Sequence, residues 1–78
     1  MALEEKVYEI LNKVLDVSKN EVNPDDKLES GLGVDSTEMV EIAVGLKKEL
    51  GVNIADNELK KSHSVNEIIG ILKSKGAN

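Results

Sequence analysis

Four consecutive residues, Asp35-Ser36-Thr37-Glu38, set two hydroxyls between two carboxylates, directly after the glycine-bearing stretch Gly31-Leu32-Gly33-Val34. Three kinds of chemistry are open to Ser36: nucleophilic attack, covalent attachment of a group, or none beyond starting a helix. Nucleophilic catalysis needs a base beside the hydroxyl, and His63 is the only imidazole in the chain. No Gly-x-Ser-x-Gly elbow surrounds Ser36 and no strand is expected before it, which makes a hydrolase the weakest reading. His63 flanks the start of the last expected helix, where a polar residue in an exposed turn is the ordinary role. Metal chemistry has less to work with: there is no His-x-x-x-His pair and no cysteine, and the acidic stretch NPDDKLES lacks calcium-loop spacing.

Phosphate chemistry fits the position better. A helix start presents free N–H groups and about half a positive charge to an adjacent phosphate. Gly31 and Gly33 let the chain turn sharply before it and leave Ser36 on an accessible corner. Asp35, Glu38 and Glu41 would repel a freely diffusing anion, whereas a covalently tethered phosphodiester avoids that difficulty. On spacing alone, capping remains the stronger reading, because Asp and Ser are common at helix starts and Asp35 with Glu38 three residues on resembles a capping box. Glu38 and Glu41 further along form either an ordinary solvated face or, beside an exposed Val44 or Ile42, an acidic rim around an apolar docking spot.

Helices must position these residues. Leu3, Val7, Ile10, Leu11 and Val14 recur at helical spacing with Glu5, Glu9, Lys13 and Asp16 mostly opposite, which predicts a first amphipathic helix. Residues 17–34 hold the only proline and many turn formers, a long loop expected to be pinned by Val17, Val22, Leu28 and Leu32. A second main helix starts at Asp35 or Ser36, with Met39, Ala43, Leu46 and Leu50 as its stripe and Val40 and Val44 widening it. Gly51 stops it as a C′ glycine, and Gly45 at its middle serves either close packing or space for a ligand. ADNELKK at 55–61 holds one or two helical turns opened by Asp56; Ser64 with Glu67 then caps a last helix carrying Val65, Ile68, Ile69 and Leu72. The fold class is all-α: a four-helix bundle of three main helices, a short third helix and a long first loop, in one domain over residues 1–78.

Composition narrows the function classes. In 78 residues the core is thin, and deep catalytic pockets are hard to build. Without cysteine, disulfides and thiolate metal sites are excluded, and redox chemistry by the protein itself is improbable. Tyr8 is the only aromatic, and ten Lys against fifteen Asp and Glu give a net charge of −5, so nucleic acid is an improbable partner. An acidic surface instead favours encounter with basic patches on proteins. No apolar run approaches the ~20 residues of a membrane span, and MALEEKVYEI lacks the basic start and apolar core of a secretory leader. The expectation is a soluble, cytoplasmic monomer.

The motif LGVDSTEMVEI resembles the attachment motif of the acyl carrier protein family, an Asp-Ser-Leu core with a preceding Leu-Gly and a following Val-Glu-Leu. The likeness extends over EEKVYEIL, NEVNPDDKLES and KKELGVNIADNELKKSHSVNEIIGIL, nearly the whole chain in matching order. The resemblance implies a non-catalytic carrier with 4′-phosphopantetheine on Ser36, taken from coenzyme A by a phosphopantetheinyl transferase, with Asp35 and Gly33 supporting the motif. The arm's thiol would hold acyl groups as thioesters for fatty-acid, polyketide or related lipid biosynthesis. It further implies docking of acyl-transferring and synthase enzymes, through basic patches, at Thr37, Glu38, Glu41 and Val44, and an acyl cleft lined by Leu46 and Ile54. Four features depart from the family pattern: Thr37 for Leu, Lys47 and Lys48 for acids, Ser62 and His63 for more apolar residues, and Ala55 for Pro. The alternatives are a specialised amino-acyl or peptidyl carrier, and a helical adaptor that does not use the serine.

Overall fold

The computed structural model describes residues 3–55 and 57–77. Its elements are α1 (Leu3–Leu15), a 3₁₀ turn (Lys19–Glu21), α2 (Leu28–Gly31), α3 (Ser36–Leu50) and α4 (Val65–Ser74). The all-helical class expected from the sequence is what the chain adopts.

Leu3, Val7, Ile10 and Leu11 bury the stripe of α1, while Val14 is half-buried. Asp16 ends the helix in the left-handed region at φ 57°, a conformation Asp tolerates better than most residues, and its N–H donates to the Asn12 carbonyl at 2.9 Å. α1 packs along α3 and against α4. α1 packs tightly against α3 at Gly45: a Cβ there would stand 3.1 Å from Ile10 Cδ1 and 3.2 Å from Ile10 Cγ2. Close packing against Ile10 is therefore one role of this mid-helix glycine, which also lines an open groove between α1 and α3. Gly51 ends α3 at φ 66°, as a C′ glycine should.

Two details of the sequence reading are corrected. The flank of α3 that joins the core is Ile42, fully buried, while Val40 and Val44 are 62% and 49% exposed. Ile42 lies three residues before Gly45, the position at which Ile10 of α1 packs against α3. The short helix is also elsewhere: α2 lies within the first long loop, and residues 57–59 and 61–63 form turns instead of a helix. Asp56, expected to open that helix, lies outside the described residues.

The long first loop is tied down on both counts that a loop needs, apolar anchors and backbone partners. Val22, Leu28 and Val34 are buried, with Val17 and Leu32 half-buried against the core. Its backbone is stitched to the segment before α4 and to the first turn of α4: Leu28 N–H donates to His63 O at 3.0 Å, Glu29 N–H to Lys61 O at 2.9 Å, and Asn66 N–H of α4 to Pro24 O at 3.0 Å. Asn66 Nδ2 adds a bond to Asp25 Oδ1 at 2.7 Å. The first loop, with α2 inside it, and the segment before α4 are thus held together, and α3 starts five residues after α2.

Candidate attachment site and cleft

Gly33 takes φ +67°, and a Cβ at that position would meet nothing within 4 Å. Its requirement is backbone conformation alone. Val34 then drops into the core, and Asp35 follows in an extended conformation as the N-cap of α3. Asp35 Oδ1 accepts the Glu38 N–H at 2.8 Å while Glu38 Oε1 accepts the Asp35 N–H at 3.1 Å, a complete capping box. Because Asp35 performs the capping, Ser36 is released from it. Ser36 is exposed at the first helical position, and among the described residues nothing hydrogen-bonds its hydroxyl. The first N–H groups of α3 have no intrahelical acceptor, so the hydroxyl sits at the positive end of a fifteen-residue helix.

The base that a hydrolase would need is committed elsewhere. His63 Nδ1 accepts the Lys60 N–H at 3.0 Å, and the His63 N–H returns a bond to Lys60 O at 2.9 Å, so the imidazole closes a turn. No group of metal-binding side chains is present among the described residues.

Two hollows flank α3 on its side facing residues 54–62. The first, about 370 Å³, has Ser36 on its lining, with Met39, Val40, Ala43 and Leu59 as its apolar surface. The second, about 400 Å³, shares Val40 and Ala43 and continues past Val44 to Ile54 and Ala55. Ile54 thus lines a hollow adjoining the one at Ser36, whereas Leu46 is fully buried beneath and lines neither. Val40 and the lysines of these rims were absent from the site residues expected from sequence. The paired Lys47-Lys48 and Lys60-Lys61 runs were the signal for them.

Thr37, Glu41 and Val44 are exposed on α3, and Glu38 is half-buried with its carboxylate engaged in the capping box. A third, open groove between α1 and α3 runs past Val40, Glu41 and Val44 to Lys13 and Lys48.

The geometry so far is a free serine hydroxyl on a helix start, opening onto an apolar cleft. The family model described as "Phosphopantetheine attachment site" matches residues 5–72. The chain belongs to the acyl carrier protein family. It is 36% identical over 75 residues to the acyl carrier protein of Solidesulfovibrio magneticus, covering 96% of each chain. It is 33% identical over 75 residues to that of Nitratidesulfovibrio vulgaris, covering 96% of this chain and 99% of the relative. The acyl carrier protein of Chlorobium phaeobacteroides is 33% identical over 73 residues, 94% of each chain. No solved structure matches the chain. Acyl carrier proteins are non-catalytic carriers bearing covalent 4′-phosphopantetheine, and they engage phosphopantetheinyl transferases and synthases. The residues present fit such a group: an unengaged hydroxyl, a helix start suited to a phosphodiester, and an apolar hollow opening beside it. No described helix is long and apolar enough to cross a membrane.

Proposed function

We propose that Ser36 is the attachment residue and that the chain, as a single monomeric carrier domain in the cytoplasm, presents acyl intermediates for fatty-acid, polyketide or related lipid biosynthesis. The observation that carries this reading is the division of labour at the start of α3, where Asp35 caps and Ser36 is left with a free hydroxyl at the mouth of the cleft. In the transfer from coenzyme A, Ser36 Oγ would form the ester bond to the pantetheine-side phosphorus as the pyrophosphate P–O bond breaks. The leaving group is 3′,5′-ADP, and the hydroxyl proton passes to a base of the transferase. The first-turn N–H groups that the capping box leaves free would favour a phosphodiester there. When attached, the arm supplies a thiol that holds cargo as a thioester, which is how a chain without cysteine takes part in thiol chemistry. Glu41 and the exposed Val44 form the face that a basic enzyme surface meets, with Thr37 and Glu38 at its edge beside Ser36.

Incubation with coenzyme A and a broadly acting phosphopantetheinyl transferase adds one phosphopantetheine mass to the wild-type chain and none to Ser36→Ala. An intact-mass spectrum showing no addition to the wild type, or full addition to Ser36→Ala, overturns the assignment. The first result would favour the adaptor reading.

A further inference from the structure

The charge of the cleft runs opposite to that of the protein. The chain has ten lysines and fifteen acids, yet among the described residues the two hollows on this side of α3 are rimmed by three lysines, Lys47, Lys60 and Lys61, and one acid, Glu29. None of the three ammonium groups takes part in an ion pair among the described residues; the pairs present involve Lys73 and Lys75. Beneath the lysines the surface is apolar, from Val40 and Ala43 to Leu59 and Ile54. The wall bearing Lys60 and Lys61 is held in place, because Lys61 O accepts the Glu29 N–H and His63 Nδ1 accepts the Lys60 N–H. A fully hydrocarbon ligand would use the floor and leave the exposed Lys47 and Lys60 and the half-buried Lys61 to water, whereas an anionic end would meet them.

We propose that this cleft selects an acyl cargo whose far end carries a carboxylate. The methylenes of such an ω-carboxyacyl chain lie over Val40, Ala43 and Leu59, and its acid end meets the ammonium groups of Lys47, Lys60 and Lys61. Among the described lining residues Glu29 is the one acid that opposes them. The inference rests on the carrier reading above, since the cargo reaches the cleft from Ser36. A phosphodiester on Ser36 is a second anion within the same hollow. It sits at the helix start that already serves it, whereas the lysines stand on the far wall and at the lower end of α3.

The test compares adipoyl with 6-methylheptanoyl, which replaces the carboxylate by an isopropyl group of similar shape, each loaded from its coenzyme A thioester and verified by intact mass. The readouts are amide chemical shifts of residues 57–62 and the rate of thioester cleavage by hydroxylamine, normalised to the free coenzyme A thioesters. In the wild type, adipoyl shifts residues 59–61 beyond the holo form and is cleaved about two- to fivefold more slowly than its partner, the effect of a partly exposed charge pair. The difference is lost in Lys47→Gln/Lys60→Gln/Lys61→Gln and at high salt, and grows in Glu29→Gln. Equal shifts and cleavage for the two cargoes overturn the proposal. So does a lysine-dependent change of the same size in the unacylated holo form, which would assign the lysines to the phosphodiester. Failure of any mass addition to the wild type is the separate failure of the carrier reading.

Discussion

Helices α3 and α4 begin with the same local device and put it to different uses. At α4, Ser64 is both the cap and buried at 5% exposure; its hydroxyl accepts the Glu67 N–H at 3.1 Å and is thereby consumed. At α3, Asp35 takes the cap and the serine stands one residue later, exposed and unengaged. The two helices differ in the same way along their length. Val65, Ile68, Ile69 and Leu72 of α4 all go into the core, and Ile71 is half-buried against it, while α3 keeps Val40 and Val44 outside. α4 is spent on stability, whereas α3 is divided between stability and presentation. A serine at the start of a helix is thus available or unavailable for chemistry according to a shift of one position relative to the cap.

The contrast is sharpest in truncation of apolar side chains, where the largest effects are expected. Ile68→Ala in α4 and Ile42→Ala in α3 each remove a fully buried side chain and should cost about 2–5 kcal/mol, measured by urea unfolding. Val40→Ala and Val44→Ala, on the exposed face of α3, should stay within about 0.5 kcal/mol. A loss of core size from Val44→Ala would mean that the outward face of α3 is structural after all.

The two caps come next in size. Ser64→Ala and Asp35→Ala each orphan the N–H of a glutamate at the third helical position and should cost about 1 kcal/mol. Ser36→Ala, one residue past the cap, should change stability by no more than about 0.5 kcal/mol while removing all phosphopantetheine addition. If Ser36→Ala destabilised as much as Ser64→Ala, the two serines would be doing the same work and the contrast between the helix starts would fall.

Much of this arrangement was legible in the sequence, and the parts that were not have a common cause. Both capping boxes follow from residue types at fixed spacing, because the partners are three residues apart and their bonds are local. The choice between Ile42 and Val40 as the inward flank of α3 is not local; it depends on how distant elements of the chain pack around α3. The short helix was misplaced for the same reason. Leu28–Gly31 turns helical where its backbone is met by Lys61 and His63, residues more than thirty positions away. The cationic rim likewise gathers Lys47 from α3 and Lys60 and Lys61 from the facing segment, and only the fold brings those together. The role proposed for Ser36 came from a whole-chain resemblance, since spacing alone favoured capping.

A smaller effect separates the helices by pH. The Ser64 N–H donated to the carboxylate holds Glu67 below the usual carboxylate range, with the Ser64 hydroxyl, His63 and Lys27 adding to the shift. A carboxylate with a lowered folded pKa contributes stability that is present above its unfolded value of about 4.3 and is lost as pH falls through the lower folded value. Glu58 shifts the same way, chiefly through its 2.7 Å bond from Lys75 Nζ. Thermal melting should therefore weaken as pH drops below the ordinary glutamate range. Glu67→Gln, which keeps an acceptor for Ser64 N–H, should flatten part of that slope. An unchanged slope in Glu67→Gln would remove the α4 cap from the acid response.

The smallest expected change in stability belongs to Glu41→Lys, and it tests the presenting side of α3 directly. Glu41 is exposed and makes no ion pair among the described residues, so reversal of its charge should leave the urea midpoint nearly unaltered. Glu38 differs, because its carboxylate accepts the Asp35 N–H and a change there would disturb the cap as well as the surface. Glu41 is therefore the acid that separates recognition from folding. With a transferase of basic docking face, Glu41→Lys should slow arm transfer mainly through the association rate, and added salt should narrow the gap between variant and wild type. Equal rates for the two proteins at low salt would mean that encounter is not steered by this acid. In that case the exposed Val40 and Val44, not the charge, would be what α3 offers its partners.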